Sequence, residues 1–397
     1  MLDALNLVDL VIVAAALIGL VNGFSRGFWL SLAQYTGLLL GVVIGASAAR
    51  PILDYLSITS PIARPLGAVL VLVIGGSLGS SLGYAAGEPI RRRILTNPTH
   101  SRTDSMAGAA FSTVAVLAVC WFLGVSFSRG PSQDVAQLIQ RSTVLRALDT
   151  LAPRPPAFLA GVEGILAGVS FPPVFAGLEP NLPGPLPVPV SVSTPGVKAA
   201  AQVVVKIAGA GCGGIVTGSG FPLGNGDIAT NAHVVSGTSG IRIQTPNGTE
   251  YRATVVFFDP ERDFAILYAP AYPAEGLQFG PAARGTEAAV IGYPGGGPES
   301  VQPAVIDGAV NAKGRDIYNG NLVTREIWVM QSVVRPGNSG GPLVDKNTGK
   351  VVGIVFATSA SDPNQAYALT YNEVSSDIQA GEGKHGAIDT SQYPCAA

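Results

Sequence analysis

Hydrophobic and polar positions divide the chain into two textures. In the first third, apolar residues run almost without interruption through four stretches, Leu7 to Phe24, Phe28 to Ala48, Pro61 to Tyr84 and Ser105 to Phe127. Each has roughly the length that crosses a bilayer as a helix. Gly, Ala and Ser are frequent within them, and small side chains let helix backbones approach closely where lipid removes the hydrophobic drive between helices. The pattern predicts a compact four-helix transmembrane bundle. From Pro131 to Leu151 the spacing of Val135, Leu138, Ile139, Val144, Leu145 and Leu148 becomes one-sided. This predicts an amphipathic helix lying either on the membrane surface or on protein.

A Pro-rich stretch from Pro153 to Pro195 follows, ending in Pro183-Gly-Pro-Leu-Pro-Val-Pro. Its missing amide donors and fixed backbone angles oppose regular structure, so it reads as a semi-rigid spacer. Beyond Pro195 the texture changes to short runs of Val, Ile and Thr punctuated by Gly, Asn and Asp. Asn225-Gly226 separates the run Gly213 to Phe221 from Asp227 to Asn231, and Asn247-Gly248 separates Ile241 to Gln244 from Tyr251 to Phe258; both dipeptides suit hairpin turns. Further strands are expected at Val203 to Ile207, Phe264 to Ala269, Glu287 to Ile291, Val305 to Val310, Trp328 to Ser332, Val351 to Phe356 and Gln365 to Thr370. So many strands in this span suit two packed barrels. The expected fold class is multi-domain, with a four-helix membrane domain over residues 1–130, an amphipathic helix and Pro-rich linker over 131–196, and an all-β domain over 197–397.

Composition sharpens this picture. Only 13% of residues are charged, about half the share of a soluble protein, which fits partial residence in lipid. The net charge of -2 gives no polyanion-binding surface and argues against a nucleic-acid partner. Arg26 follows the first span, and Arg91, Arg92, Arg93 and Arg102 lie between the third and fourth, which assigns those loops to the cytoplasm and both termini to the outside. The opposite side carries Arg50, Arg64 and Arg129 together with Asp3, Asp9 and Asp54, so the bias is moderate. The first segment lacks a basic start, unlike a cleaved signal peptide. Cys120 lies in an apolar helix, while Cys212 and Cys395 flank the polar half. A Cys212–Cys395 disulfide requires an oxidising compartment, and two unrelated thiols are the alternative because spacing guarantees no geometry.

The peptide richest in chemistry is Arg335-Pro-Gly-Asn-Ser-Gly-Gly-Pro-Leu-Val344. Glycines on both sides of Ser339 permit a turn that aims the amides of Gly337 and Ser339 at one point, where a carbonyl oxygen gaining charge would be stabilised. A serine hydroxyl needs a base, and a neutral imidazole needs a carboxylate to orient it. Thr230-Asn-Ala-His-Val-Val235 supplies His233 at the end of an apolar strand, and Arg262-Asp-Phe-Ala-Ile-Leu267 supplies Asp263 at the start of another. Asp259, before Pro260, competes for the carboxylate role but reads better as a turn former. Gly295-Gly-Gly-Pro298 lacks the Lys-Ser/Thr of a phosphate cradle and reads as a loop near a substrate cleft. No Cys or His spacing suggests a metal site, so no cofactor is expected.

These three peptides, in this order, resemble the chymotrypsin superfamily, closest to its bacterial HtrA branch, over roughly residues 197–375. The resemblance implies a double β-barrel serine endopeptidase with His233 as general base, Asp263 as its orienting carboxylate and Ser339 as nucleophile. The backbone amides of Gly337 and Ser339 would form the oxyanion hole, with Asn338 between them. Asn338 stands where digestive trypsins carry Asp, and no PDZ module follows as in most HtrA proteins. The four helices resemble the colicin V production protein family. A fusion of the two implies an extracytoplasmic hydrolase of envelope proteins under acid or oxidative stress, with a disulfide in the protease domain. If the fold is right, Ser332, Val333, Val334, Phe356 to Ser359 and Ala366 to Thr370 line the first specificity pocket. None of them is acidic, so a small or medium uncharged side chain is the expected preference. The alternative from another class is a non-catalytic membrane scaffold that binds envelope partners.

Overall fold

The computed structural model describes residues 6–57, 63–94, 98–128, 133–151, 174–179 and 184–396. Asp3, Pro61, Arg129, Pro131 and residues 153–173 and 180–183 of the Pro-rich stretch lie outside them. The chain forms two compact units, Met1–Val169 and Ser170–Ala397.

The first unit contains α1 (Leu7–Arg26), α2 (Phe28–Tyr55), α3 (Ala63–Ile94), α4 (Pro98–Phe127), α5 (Gln133–Gln140) and α6 (Thr143–Leu151). The first four are long and apolar enough to cross a membrane. They pair α1 with α4 and α2 with α3, antiparallel, through glycines. A Cβ on Gly37 would lie 2.2 Å from the carbonyl oxygen of Gly79, and one on Gly41 2.1 Å from that of Gly75. Only glycine lets these backbones meet, while Leu10, Leu17, Val21, Ile44 and Leu82 point outward.

The amphipathic stretch is two short helices packed on protein. Buried Asp9 of α1 accepts from the Ser142 hydroxyl at 2.6 Å and from Val144 N at 2.9 Å, capping the start of α6. Leu145 fills the space beside Gly124, and Trp121 Nε1 donates to Asp149 at 3.0 Å.

In the second unit, the first sheet is built from β1 (Val205–Gly211), β2 (Gly214–Gly224), β3 (Asp227–Thr230), β4 (Thr238–Gln244), β5 (Glu250–Arg252), β6 (Thr254–Asp259) and β7 (Phe264–Tyr268), in the order β5-β4-β1-β2-β3-β7-β6. The second is a closed barrel of β8 (Glu287–Gly292), β9 (Ser300–Arg315), β10 (Leu322–Gln331), β11 (Pro342–Asp345), β12 (Val351–Thr358) and β13 (Gln365–Thr370), in the order β10-β13-β12-β11-β8-β9. Short helices α7 (Pro195–Ala201), α8 (Ala232–Val235) and α9 (Tyr371–Gly381) complete the unit. Asn225 and Gly226, with φ of 53° and 86°, form the tight turn between β2 and β3 that their dipeptide signals. The β9–β10 hairpin extends well beyond the residues expected, because the polar ends of both strands pair with each other.

Part of the Pro-rich stretch belongs to this second unit. Val174, Phe175, Ala176 and Leu178 are buried, Ala176 N donates to Lys313 O at 2.7 Å, and the Phe175 ring meets Tyr367 edge-on at 5.4 Å. Apolar residues scattered among prolines carry no strand or helix period, so the sequence pattern hides this docked strap. At the other end, the tail after α9 returns to the first sheet, where Ile388 N bonds Val255 O and Cys395 is joined to Cys212.

Candidate active site

The site is assembled from loop ends. Strand β3 delivers Thr230 and Asn231, and the chain turns into α8, which carries His233. The β6–β7 connection presents Asp263 with a φ of 61°, a left-handed conformation that costs a non-glycine residue energy and survives where its surroundings fix it. The fixing is explicit. Asp263 Oδ1 accepts from His233 N at 2.9 Å, its Oδ2 lies 2.7 Å from His233 Nδ1, and its carbonyl accepts from Asn231 Nδ2 at 2.9 Å. Asp263 is 1% exposed, and the imidazole side chain 11%. Asp259 instead accepts from the amides of Glu261 and Arg262, forming the turn its proline neighbour suggests.

Ser339 sits on the turn before β11 and is 3% exposed. Its carbonyl accepts from Ser219 N at 2.8 Å, the Ser219 hydroxyl donates to Gly337 O at 2.7 Å, and Thr230 Oγ1 donates to Ser219 O at 2.8 Å. Ser219 thus ties the serine turn to the strand leading into His233. Gly340, at φ 83°, faces the same segment: a Cβ there would lie 2.3 Å from Thr230 Oγ1. The Ser339 hydroxyl itself makes no hydrogen bond among the described residues.

Gly337 has a φ of 98°, and a Cβ on it would lie 2.3 Å from Tyr293 O. Asn338 N is consumed by Arg335 O at 3.0 Å. Among the described residues, the amides flanking it, those of Gly337 and Ser339, donate to no protein acceptor. Two unpaired N–H groups beside a serine are what a developing oxyanion needs. The Gly295–Gly297 loop packs on this turn, with Gly295 N donating to Pro336 O at 2.6 Å. Among the described residues no cluster of His, Cys, Asp and Glu could hold a metal ion.

Several participants carry no sequence signal. Arg325 of β10 is 2% exposed; its Nε donates to Glu261 O at 2.7 Å and its Nη2 to Arg315 O at 2.9 Å. Burial lowers its pKa, and the charges of Asp263 and Glu373 oppose that shift. Glu179, from the strap, reaches the turn after β12: it accepts from the Ser359 hydroxyl at 2.7 Å, from Ala360 N at 3.0 Å and from the Ser361 hydroxyl at 2.7 Å. Of the expected pocket residues, Ser332 is fixed by Pro303 O, Val334 is buried and Val333 is exposed.

Comparison with known proteins agrees with both units. Residues 218–354 match the trypsin-like peptidase domain family, and residues 8–153 match the colicin V production protein family. The serine protease Rv3671c of Mycobacterium tuberculosis is 32% identical over 386 residues, covering 93% of this chain and 94% of that protein. A probable periplasmic serine endoprotease, DegP-like, of Chlamydia trachomatis is 35% identical over 144 residues, 35% of this chain and 28% of that protein. The crystal structure of the Rv3671c protease in its active form superposes with a TM-score of 0.50 at 36% identity, covering 55% of this chain and 99% of that one.

Proposed function

This chain belongs to the serine protease family of Rv3671c and is a serine endopeptidase, and we propose that it cleaves proteins of the cell envelope through His233, Asp263 and Ser339. The observation that carries this reading is the Asp263 carboxylate, which uses both oxygens on His233 beside a turn with two unpaired amides. In the proposed reaction, Ser339 Oγ attacks the peptide carbonyl as His233 Nε2 takes its proton. Asp263, hydrogen-bonded to Nδ1, holds the tautomer and stabilises the imidazolium. The amides of Gly337 and Ser339 receive the oxyanion, and His233 then protonates the leaving amine. Water activated by the same imidazole hydrolyses the acyl-enzyme. Replacing Ser339 with Ala is expected to abolish both fluorophosphonate labelling and turnover of a generic protein substrate. Retained labelling would refute the assignment.

The membrane helices and the periplasmic naming of DegP-like relatives support an extracytoplasmic peptidase domain on a membrane anchor. The arginine distribution supports both termini on that side. Protease added to spheroplasts should then degrade the second unit, and its protection would reverse the orientation. The apolar character of Val333, Val334 and Phe356 to Ala357 supports preference for a small or medium uncharged side chain before the cleaved bond. Cleavage of a peptide library after Lys or Arg would contradict that.

A further inference from the structure

The strap that precedes the β domain meets the turn that follows β12. Strand β12 is bonded to the serine turn, since Gly340 N donates to Val355 O at 2.8 Å and Val355 N to Gly341 O at 2.9 Å. Its partner β11 begins at Pro342, opposite Ile354. Phe356, Ala357 and Thr358 therefore extend past β11 toward Ser339, the first two buried and Thr358 half-buried. An extended peptide whose carbonyl reaches Ser339 would meet this stretch at half-buried Thr358 as its strand neighbour. The stretch is continued by Ser359 to Ser361, and that turn is held by Glu179, through two hydroxyls and one amide. Ser359 Oγ also accepts from Ser361 N and Asp362 N, so the carboxylate organises the whole turn. Glu179 itself is anchored by its own segment, whose Val174, Phe175, Ala176 and Leu178 are buried in the second unit.

Resting on the proposed peptidase site, we propose that Glu179 is a positioning residue for substrate binding, which makes docking of the strap a condition for tight peptide binding. It touches neither the serine nor the imidazole. It sets the position of the stretch that the substrate pairs with, and so acts on substrate binding. A charged acceptor makes stronger hydrogen bonds than a neutral one, and a pre-positioned stretch spares the substrate the entropy of ordering it.

The test uses the full chain in membranes, comparing wild type with Glu179→Ala, Glu179→Gln and the separate Ser361→Ala. Three quantities are read: KM and kcat for extended peptides, the labelling rate with a small fluorophosphonate, and thermal stability. For Glu179→Ala, KM should rise roughly tenfold while kcat and the labelling rate stay within about twofold. Glu179→Gln should recover part of the loss, and Ser361→Ala, which removes the same contact from the side of the turn, should raise KM in the same direction. Unchanged KM in Ser361→Ala and Glu179→Gln, or a fall in kcat and labelling equal to any loss in kcat/KM, would overturn the proposal. Failure of the wild type to label would instead strike the peptidase site itself, so the two failures are distinguishable. If Glu179→Ala does not fold, the other two variants decide.

Discussion

Asp263 combines three things that burial alone would forbid: a left-handed backbone, a nearly inaccessible carboxylate and a direct pairing with an imidazole. The loop tolerates them because Asn231 bonds the carbonyl of the strained residue itself and Arg325 bonds that of Glu261, two residues before it. A carboxylate that orients and charge-stabilises a base should be sensitive to isosteric neutralisation. Asp263→Asn keeps the shape but offers an amide where His233 Nδ1 needs an acceptor, so kcat should fall by roughly 10⁴ with little change in KM. Steady-state kinetics on a protein substrate read this directly, and a loss confined to KM would contradict it. His233, Asp263 and Ser339 were all legible as motifs because each needs a particular residue type next to a particular turn. Ser219 was not, because a serine inside a strand of small residues has no pattern that distinguishes it.

At the scale of elements, α9 is held against the β6–β7 turn by Arg262, which meets Asp259, Glu373 and Asp377. Burial, reinforced by the neighbouring charge of Asp259 and opposed by that of Arg262, pushes Asp377 up to about 6. Its Oδ2 is buried without a hydrogen-bond partner among the described residues. The folded chain therefore binds this proton more tightly than the unfolded chain, whose aspartate titrates near the ordinary 3.8. The stability it contributes is fully present below that lower value and is lost as pH rises through 6. Asp377→Asn cannot lose a proton, so its Tm should gain on that of the wild type by a few degrees between pH 4 and 7. Parallel Tm curves over that range would exclude the effect. The two docked helices after the bundle belong to the same scale. Their apolar period was visible in the residues, but the choice between membrane surface and protein needed Asp9, whose carboxylate caps α6 across 135 positions.

Across the whole second unit, the tail closes the chain on itself. Cys212 and Cys395 are bonded over a separation of 183 residues, so the bridge restrains nearly the entire unfolded domain. In the chain-entropy account such a loop stabilises by about 3–5 kcal/mol. Cys212→Ser should lower the denaturation midpoint accordingly, and a reductant should do the same to the wild type only. Equal denaturant curves with and without reductant would remove the prediction. The first unit follows a different logic, with outward apolar residues and inward glycines, because its solvent is expected to be lipid.

Local order in the chain was enough for the broad organisation. Long apolar runs and alternating short runs determined four helices and a β-rich second half, and three motifs pointed to His233, Asp263 and Ser339 as the proposed site, because hydropathy period and turn residues are properties of neighbours. Tertiary structure alone decided the rest. Glu179 and Ser361 lie 182 positions apart, and Ser219 and Gly337 lie 118 apart. Contacts of that kind depend on how strands order themselves in a sheet and on which loop ends converge. A hydrogen bond between polar residues so far apart leaves no periodic trace in the residues that make it.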